Sequence, residues 1–107
     1  MQGAEDIKKH LLKQFSLPIE QIEAMMPSFL STLSSHMDAL EDALAGNDLL
    51  QLGRAGHTIK GAFLNLGLDE CAQIAFEIEL SGKSADENMD YRTKIDTLHK
   101  HLLPVLK

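Results

Sequence analysis

The stretch Asp48-Leu49-Leu50-Gln51-Leu52-Gly53-Arg54-Ala55-Gly56-His57-Thr58-Ile59-Lys60-Gly61-Ala62-Phe63-Leu64-Asn65-Leu66-Gly67 reads as one helix with both ends marked. Asp48 with Gln51 makes a capping-box-like start, and Gly67 is a stop about five turns later. At roughly 100° per residue, Leu52, Ala55, Ile59, Ala62, Phe63 and Leu66 fall on one side. Leu50, Gly53, Arg54, His57, Lys60, Gly61 and Leu64 fall on the other, within about 60° of the His57 direction. The apolar stripe demands other helices to pack on, whereas the imidazole points away from it. Glycine inside a helix costs about 1 kcal/mol against alanine. Gly53 one turn before His57 and Gly61 one turn after it therefore predict clearance for something large that approaches the ring.

The same periodicity extends in both directions. A short helix is expected over about residues 4–15, with Ile7, Leu11, Leu12 and Phe15 on one face. Ser16-Leu17-Pro18 breaks it, and Pro18 suits the first turn of a helix over about 18–46. That helix carries Ile22, Met26, Phe29, Leu33, Met37, Leu40 and Leu44 at spacings of three and four. Pro27 should kink it without dividing it, because the stripe stays in phase across the proline. Gly46-Asn47 is a stop, and the His57 helix follows over about 48–66. Asp69 is a cap for a helix over about 69–82, with Cys71, Ile74, Ala75 and Ile78 buried and Gly82 ending it. Ser84 with Glu87 forms a capping box for a last helix over about 85–104, with Tyr91, Ile95, Leu98, Leu102 and Val105 inside and Pro104 fraying the end. Short connections imply antiparallel neighbours. The expected fold is all-α: one domain over 1–107, an antiparallel up-down four-helix bundle with a short additional N-terminal helix.

Bulk composition sets limits on function. The 107 residues carry a formal charge of −6 and no basic stripe, which argues against a nucleic-acid surface. A lone valine and few aromatics disfavour strands. No apolar stretch approaches the ~18 residues of a membrane span, and no signal-peptide pattern opens the chain. Cys71 is the single cysteine, so no internal disulfide forms and a cytoplasmic setting is expected.

Neutral imidazole is a competent nucleophile near neutral pH. If His57 takes up a phosphoryl group, Lys60 at i+3 is near enough to offset the added charge of about −1.5 to −2. No other histidine offers as much. His99 and His101 are two apart and face differently, where a helical metal pair needs i and i+4. His10 and His36 have no evident partners, and Ser34, Ser35, His36 and Asp38 cannot converge as a triad on one helix. No metal site is expected. Met25, Met26 and Met37 read as core filler, and Cys71 as a small buried hydrophobe.

His57-Thr58-Ile59-Lys60-Gly61, followed by Asn65-Leu66-Gly67-Leu68, resembles the histidine-containing phosphotransfer (HPt) domain of bacterial phosphorelays. That family's pattern is His-x-x-Lys-Gly with a second glycine six residues on, which Gly61 and Gly67 match. The resemblance continues through Phe29, Leu40, Ala43 and Asp48 upstream and Cys71, Ile74, Ala75, Ile78 and Glu79 downstream, covering roughly residues 20–83. It implies that His57 takes a phosphoryl group on Nε2 from a receiver-domain aspartate and returns it to another. It also implies that Lys60 stabilises the phosphoryl charge and that Gly61 admits the receiver. Glu79 stands where related domains place a carboxylate or amide that bonds the imidazole Nδ1; the other reading is an exposed glutamate at a helix end. Leu50, Arg54 and Leu64, with Gly53 and Gly61, form the expected docking patch. The partners implied are response-regulator receivers and a hybrid sensor kinase, with Mg²⁺ on the receiver and no cofactor on this chain. Such a chain carries phosphate without independent catalytic activity.

Two further readings stand beside this one: the histidine-bearing module of a chemotaxis-type kinase, and a helical adaptor with no phosphate chemistry. The start at Met1 and the end soon after the last helix suggest a free-standing protein, expected as a monomer.

Overall fold

Five helices make up the computed structural model, which describes residues 3–106, the side chains of Ala4 and Leu106 excepted. They are α1 (Ala4–Phe15), α2 (Ile19–Ala45), α3 (Leu49–Asn65), α4 (Asp69–Lys83) and α5 (Tyr91–Leu106), with no strand among the described residues. α2 packs on α3 and α5, and α4 packs on the same two, so four helices close around one core while α1 lies against α2 and α5. α2 is the spine: its 27 residues span about 40 Å at 1.5 Å per residue, close to the 45 Å length of the molecule. It passes through Pro27 without dividing.

The core follows the helical stripes. Ile22, Leu33, Leu40, Leu52, Ile59, Phe63, Ile78, Ile95 and Leu98 are fully buried, each stabilising the fold by about 1.5–3 kcal/mol relative to exposure. α1 departs from its stripe. Ile7 and Leu11 are buried, but Leu12 and Phe15 remain exposed, because this short helix meets the bundle along a narrow seam. Phe29, Leu44 and Ile74 are only partly covered. Polar ties hold α5 in place: Arg92 grips both oxygens of Glu41 on α2 at 2.6 and 2.8 Å, and Lys94 meets Glu77 on α4 at 2.7 Å. His99 also reaches Glu41, at 2.9 Å. Arg92 above all holds the Glu41 carboxyl down at about 2.

Helix ends differ from the sequence expectations in an informative way. α2, α3 and α4 all finish in the same turn, in which a left-handed residue donates one back-bond into the last turn of the helix and the residue after it donates another. At α3 the left-handed residue is Gly67 (φ 75°), with Leu68 N bonding Phe63 O and Gly67 N bonding Leu64 O. At α2 it is Asn47, not Gly46. At α4 it is Ala85, with Asp86 N on Ser81 O and Ala85 N on Gly82 O. Gly82 therefore does not end α4; it lies inside the helix, buried. Asp69 is the first residue of α4 and not its cap, a position held by the buried Leu68.

Ser84 and Glu87 do not start α5. Ser84 Oγ turns back to Leu80 O, Asp86 accepts from Asn88 N, and the Tyr91 hydroxyl bonds Asp86 O at 2.7 Å. Short polar side chains here satisfy the backbone locally and compete with helix. The helix begins only at Tyr91, where Asp90 accepts from Thr93 N at 3.0 Å. Pro18 caps α2 from just outside, and Pro104 sits within α5, which continues to Leu106 without fraying at the proline.

Exchanging the roles of two positions tests this account. A Cβ at Gly82 would fall against Gly53 N and within 2.6 Å of Gly53 Cα and Leu49 O, so Gly82→Ala should destabilise by about 1–3 kcal/mol despite alanine's better propensity. Ala85→Gly should stabilise by about 0.5–1 kcal/mol by relieving a left-handed alanine. Urea denaturation of both variants measures the two effects.

Candidate functional site

The site begins with how closely α3 and α4 approach. A Cβ at Gly53 would lie 2.8 Å from Lys83 N, and one at Gly56 would lie 2.9 Å from Glu79 N. Those contacts are backbone, so only glycine permits this separation. Gly53 is buried in the helix interface. The expectation that it clears space for a partner is corrected: its space is filled by α4. Gly61 is the opposite case, exposed and with nothing within 4 Å of a Cβ built on it.

Close packing brings Glu79 of α4 beneath His57 of α3. Glu79 is a buried residue, its side chain 7% exposed, while the His57 side chain is 63% exposed. It is not the exposed glutamate of the alternative reading. The ring Nδ1 lies 3.0 Å from Glu79 Oε2. Lys83, one turn further along α4, donates to the same oxygen at 2.8 Å. Lys60 Nζ pairs with Oε1 at 2.7 Å and lies 4.8 Å from the centroid of the Phe76 ring. Lys60 first, then Lys83, and to a lesser degree His57 hold the Glu79 carboxyl at about 2, against the upward push of burial. Glu79 is accordingly ionised near neutral pH and can only accept. Its contact with Nδ1 requires the proton on Nδ1, so in the neutral ring the lone pair stands on the exposed Nε2.

On the same two helices, Leu50 and Leu64 of α3 are more than half exposed, as is Leu80 of α4, and Phe76 is 37% exposed; Arg54 is also exposed. α3 and α4 thus carry exposed apolar surface as well as the polar cluster. Phe76, Leu80, Lys83 and Gly56 have no role in the sequence reading, and Gly82 figures there only as a helix stop. Lys83 had a signal, since it stands at i+4 from Glu79. Gly56 and Gly82 had one too, as glycines retained inside helices.

The other histidines lie apart from this cluster. His10 packs beside Gly67, His36 is on α2, His99 meets Glu41, and His101 lies 3.8 Å from Glu70. Among the described residues no group of three His, Cys, Asp or Glu side chains is placed to hold a metal ion. Burial pushes the Cys71 thiol up to about 11, which suppresses thiolate chemistry. No helix among the described residues is long and apolar enough to cross a membrane.

The Glu79 cluster makes stability depend on pH with a definite sign. An unfolded glutamate takes its proton near pH 4.3, whereas folded Glu79 does so at about 2. Between these values the unfolded chain binds more protons, so the contribution is complete above about pH 4.5 and is lost as pH falls towards 2. Urea titrations should show Glu79→Gln less stable than the parent protein by about 2–3 kcal/mol near neutral pH, a gap that narrows through this window. A gap independent of pH would contradict the ionised cluster.

The family model described as the Hpt domain matches residues 24–103, from within α2 to within α5. Among curated relatives, the phosphorelay protein LuxU of Vibrio vulnificus, in strains YJ016 and CMCP6, is 30% identical over 84 residues. That alignment spans 76% of this chain and 73% of each relative. No solved structure shows a significant match.

Proposed function

The chain belongs to the Hpt domain family, and on that premise we propose that His57 is its phosphoacceptor in a phosphorelay. The observation that carries this reading is the pairing of a buried, ionised Glu79 on Nδ1 with a solvent-facing Nε2. As Nε2 attacks the phosphorus of a receiver's aspartyl phosphate, the N–P bond forms and the P–O bond to aspartate breaks, its electron pair leaving with the carboxylate. The ring becomes positive, and Glu79 offsets that charge through the Nδ1 proton. Donation to a second receiver runs the same step in reverse.

Lys60 carries the charge of the transferred group, Gly61 admits the receiver's loops, and Leu50, Arg54 and Leu64 belong to the docking patch. A transient contact of this kind buries near or below about 1,200 Å². The receiver supplies Mg²⁺ and the acidic pocket; this chain contributes a positioned imidazole, without independent catalytic activity or a cofactor of its own. A hybrid sensor kinase upstream and a cytoplasmic setting fit that role. The name of the relatives, a phosphorelay protein, favours the relay over the kinase-input module.

Incubation with a phosphorylated receiver should move acid-labile label to this protein, and His57→Gln should abolish the transfer. Full labelling of that variant would refute the assignment. Gly61→Arg should keep the unfolding temperature while slowing transfer by about ten- to a hundredfold, because the added side chain occupies open space over the helix.

A further inference from the structure

We propose that Lys83 is a second phosphoryl-directed cation of the His57 site, held on Glu79 until the phosphoryl group arrives. The inference rests on His57 being the phosphoacceptor and adds a partner that the His-x-x-Lys-Gly pattern does not contain. A charge count motivates it. Glu79 contributes −1, and Lys60 and Lys83 each contribute +1 within 2.8 Å of it, so the cluster around a neutral imidazole stands at +1. Without Lys83 the count is zero. A phosphoryl group carrying about −1.5 to −2 would then join a site with no surplus positive charge, on a chain whose formal charge is −6.

Geometry separates the two lysines. The Lys60 side chain is 23% exposed, bound to Oε1 and set over the Phe76 ring, so leaving Glu79 would also forfeit the aromatic contact. Lys83 is 55% exposed, and it shares Oε2 with His57 Nδ1. Lys83 is therefore the cation that moves at lower cost, from an oxygen next to the ring to a phosphoryl group on that ring. Its departure leaves Oε2 to the Nδ1 proton alone.

Loss of the phosphoryl group to water states the consequence in bonds. A water oxygen bonds to phosphorus, the Nε2–P bond breaks, and its electron pair returns to Nε2, so the ring leaves as neutral imidazole when Nδ1 holds its proton. A cation beside the phosphoryl oxygens stabilises the phosphorylated state against this step. Without Lys83 that stabilisation is lost, and the lifetime shortens.

Phosphoramidate loads the histidine without any protein partner, so docking does not enter the measurement. After removal of the donor, decay of phosphohistidine is followed by ³¹P NMR at neutral pH. At a temperature well below the unfolding transition of every variant, Lys83→Met should shorten the half-life roughly two- to fivefold, and Lys83→Arg should restore it. A half-life in Lys83→Met equal to or longer than that of the parent protein would overturn the proposal, as would failure of arginine to rescue. The phosphoacceptor reading fails separately: the parent protein would then take no label, or His57→Gln would take as much.

Discussion

The distance between α3 and α4 is the constraint from which the site follows. Gly53 and Gly56 on one helix meet Gly82 and the Glu79 backbone on the other at separations that no Cβ would tolerate. Farther apart, Glu79 would lie in water, where its ion pairs would be worth little. At the observed spacing the carboxylate is enclosed, and an enclosed charge has to be matched by partners. His57, Lys60 and Lys83 supply them. Packing of small residues thus decides the electrostatics, and the electrostatics decide which ring nitrogen keeps its proton.

This arrangement concentrates chemistry on two of five helices. α2 and α5 are joined by the Arg92–Glu41 grip and the buried stripes of both helices, remote in character from the His57 cluster. The Asp48 cap and the Gly67 turn fix where α3 starts and stops, and so the height at which His57 emerges. α1 lies outside the segment matched by the family model and covers the bundle through Ile7 and Leu11.

Much of this was legible in the residues. Spacings of three and four marked all five helices and most of the core, and Asp48 and Gly67 marked the ends of α3. The motif at His57 singled out the ring, and its outward direction followed from helical geometry. What could not be read was tertiary. Gly53 and Gly61 look alike as letters on one helix face, yet one is sealed by α4 and the other is open. Gly82 has the look of a helix stop, but α4 ends instead at an alanine in a left-handed turn, a conformation no propensity scale would assign to it. Ser84 and Glu87 fit a capping box, but Asp86 and Asp90 won the competition for the backbone through bonds made within the loop. The burial of Glu79 depends on what faces it across the interface.

The exposure of a single imidazole on one edge of the bundle also governs the order of events. If His57 is the phosphoacceptor, as proposed, every protein that gives to or takes from Nε2 has to cover the same patch of α3 and α4, so two of them cannot sit there together. Donor and acceptor would then visit in turn, with a free phosphorylated carrier between visits. Throughput then depends on how quickly each visitor departs as much as on the transfer itself, and a partner that lingers acts as a competitor of the next.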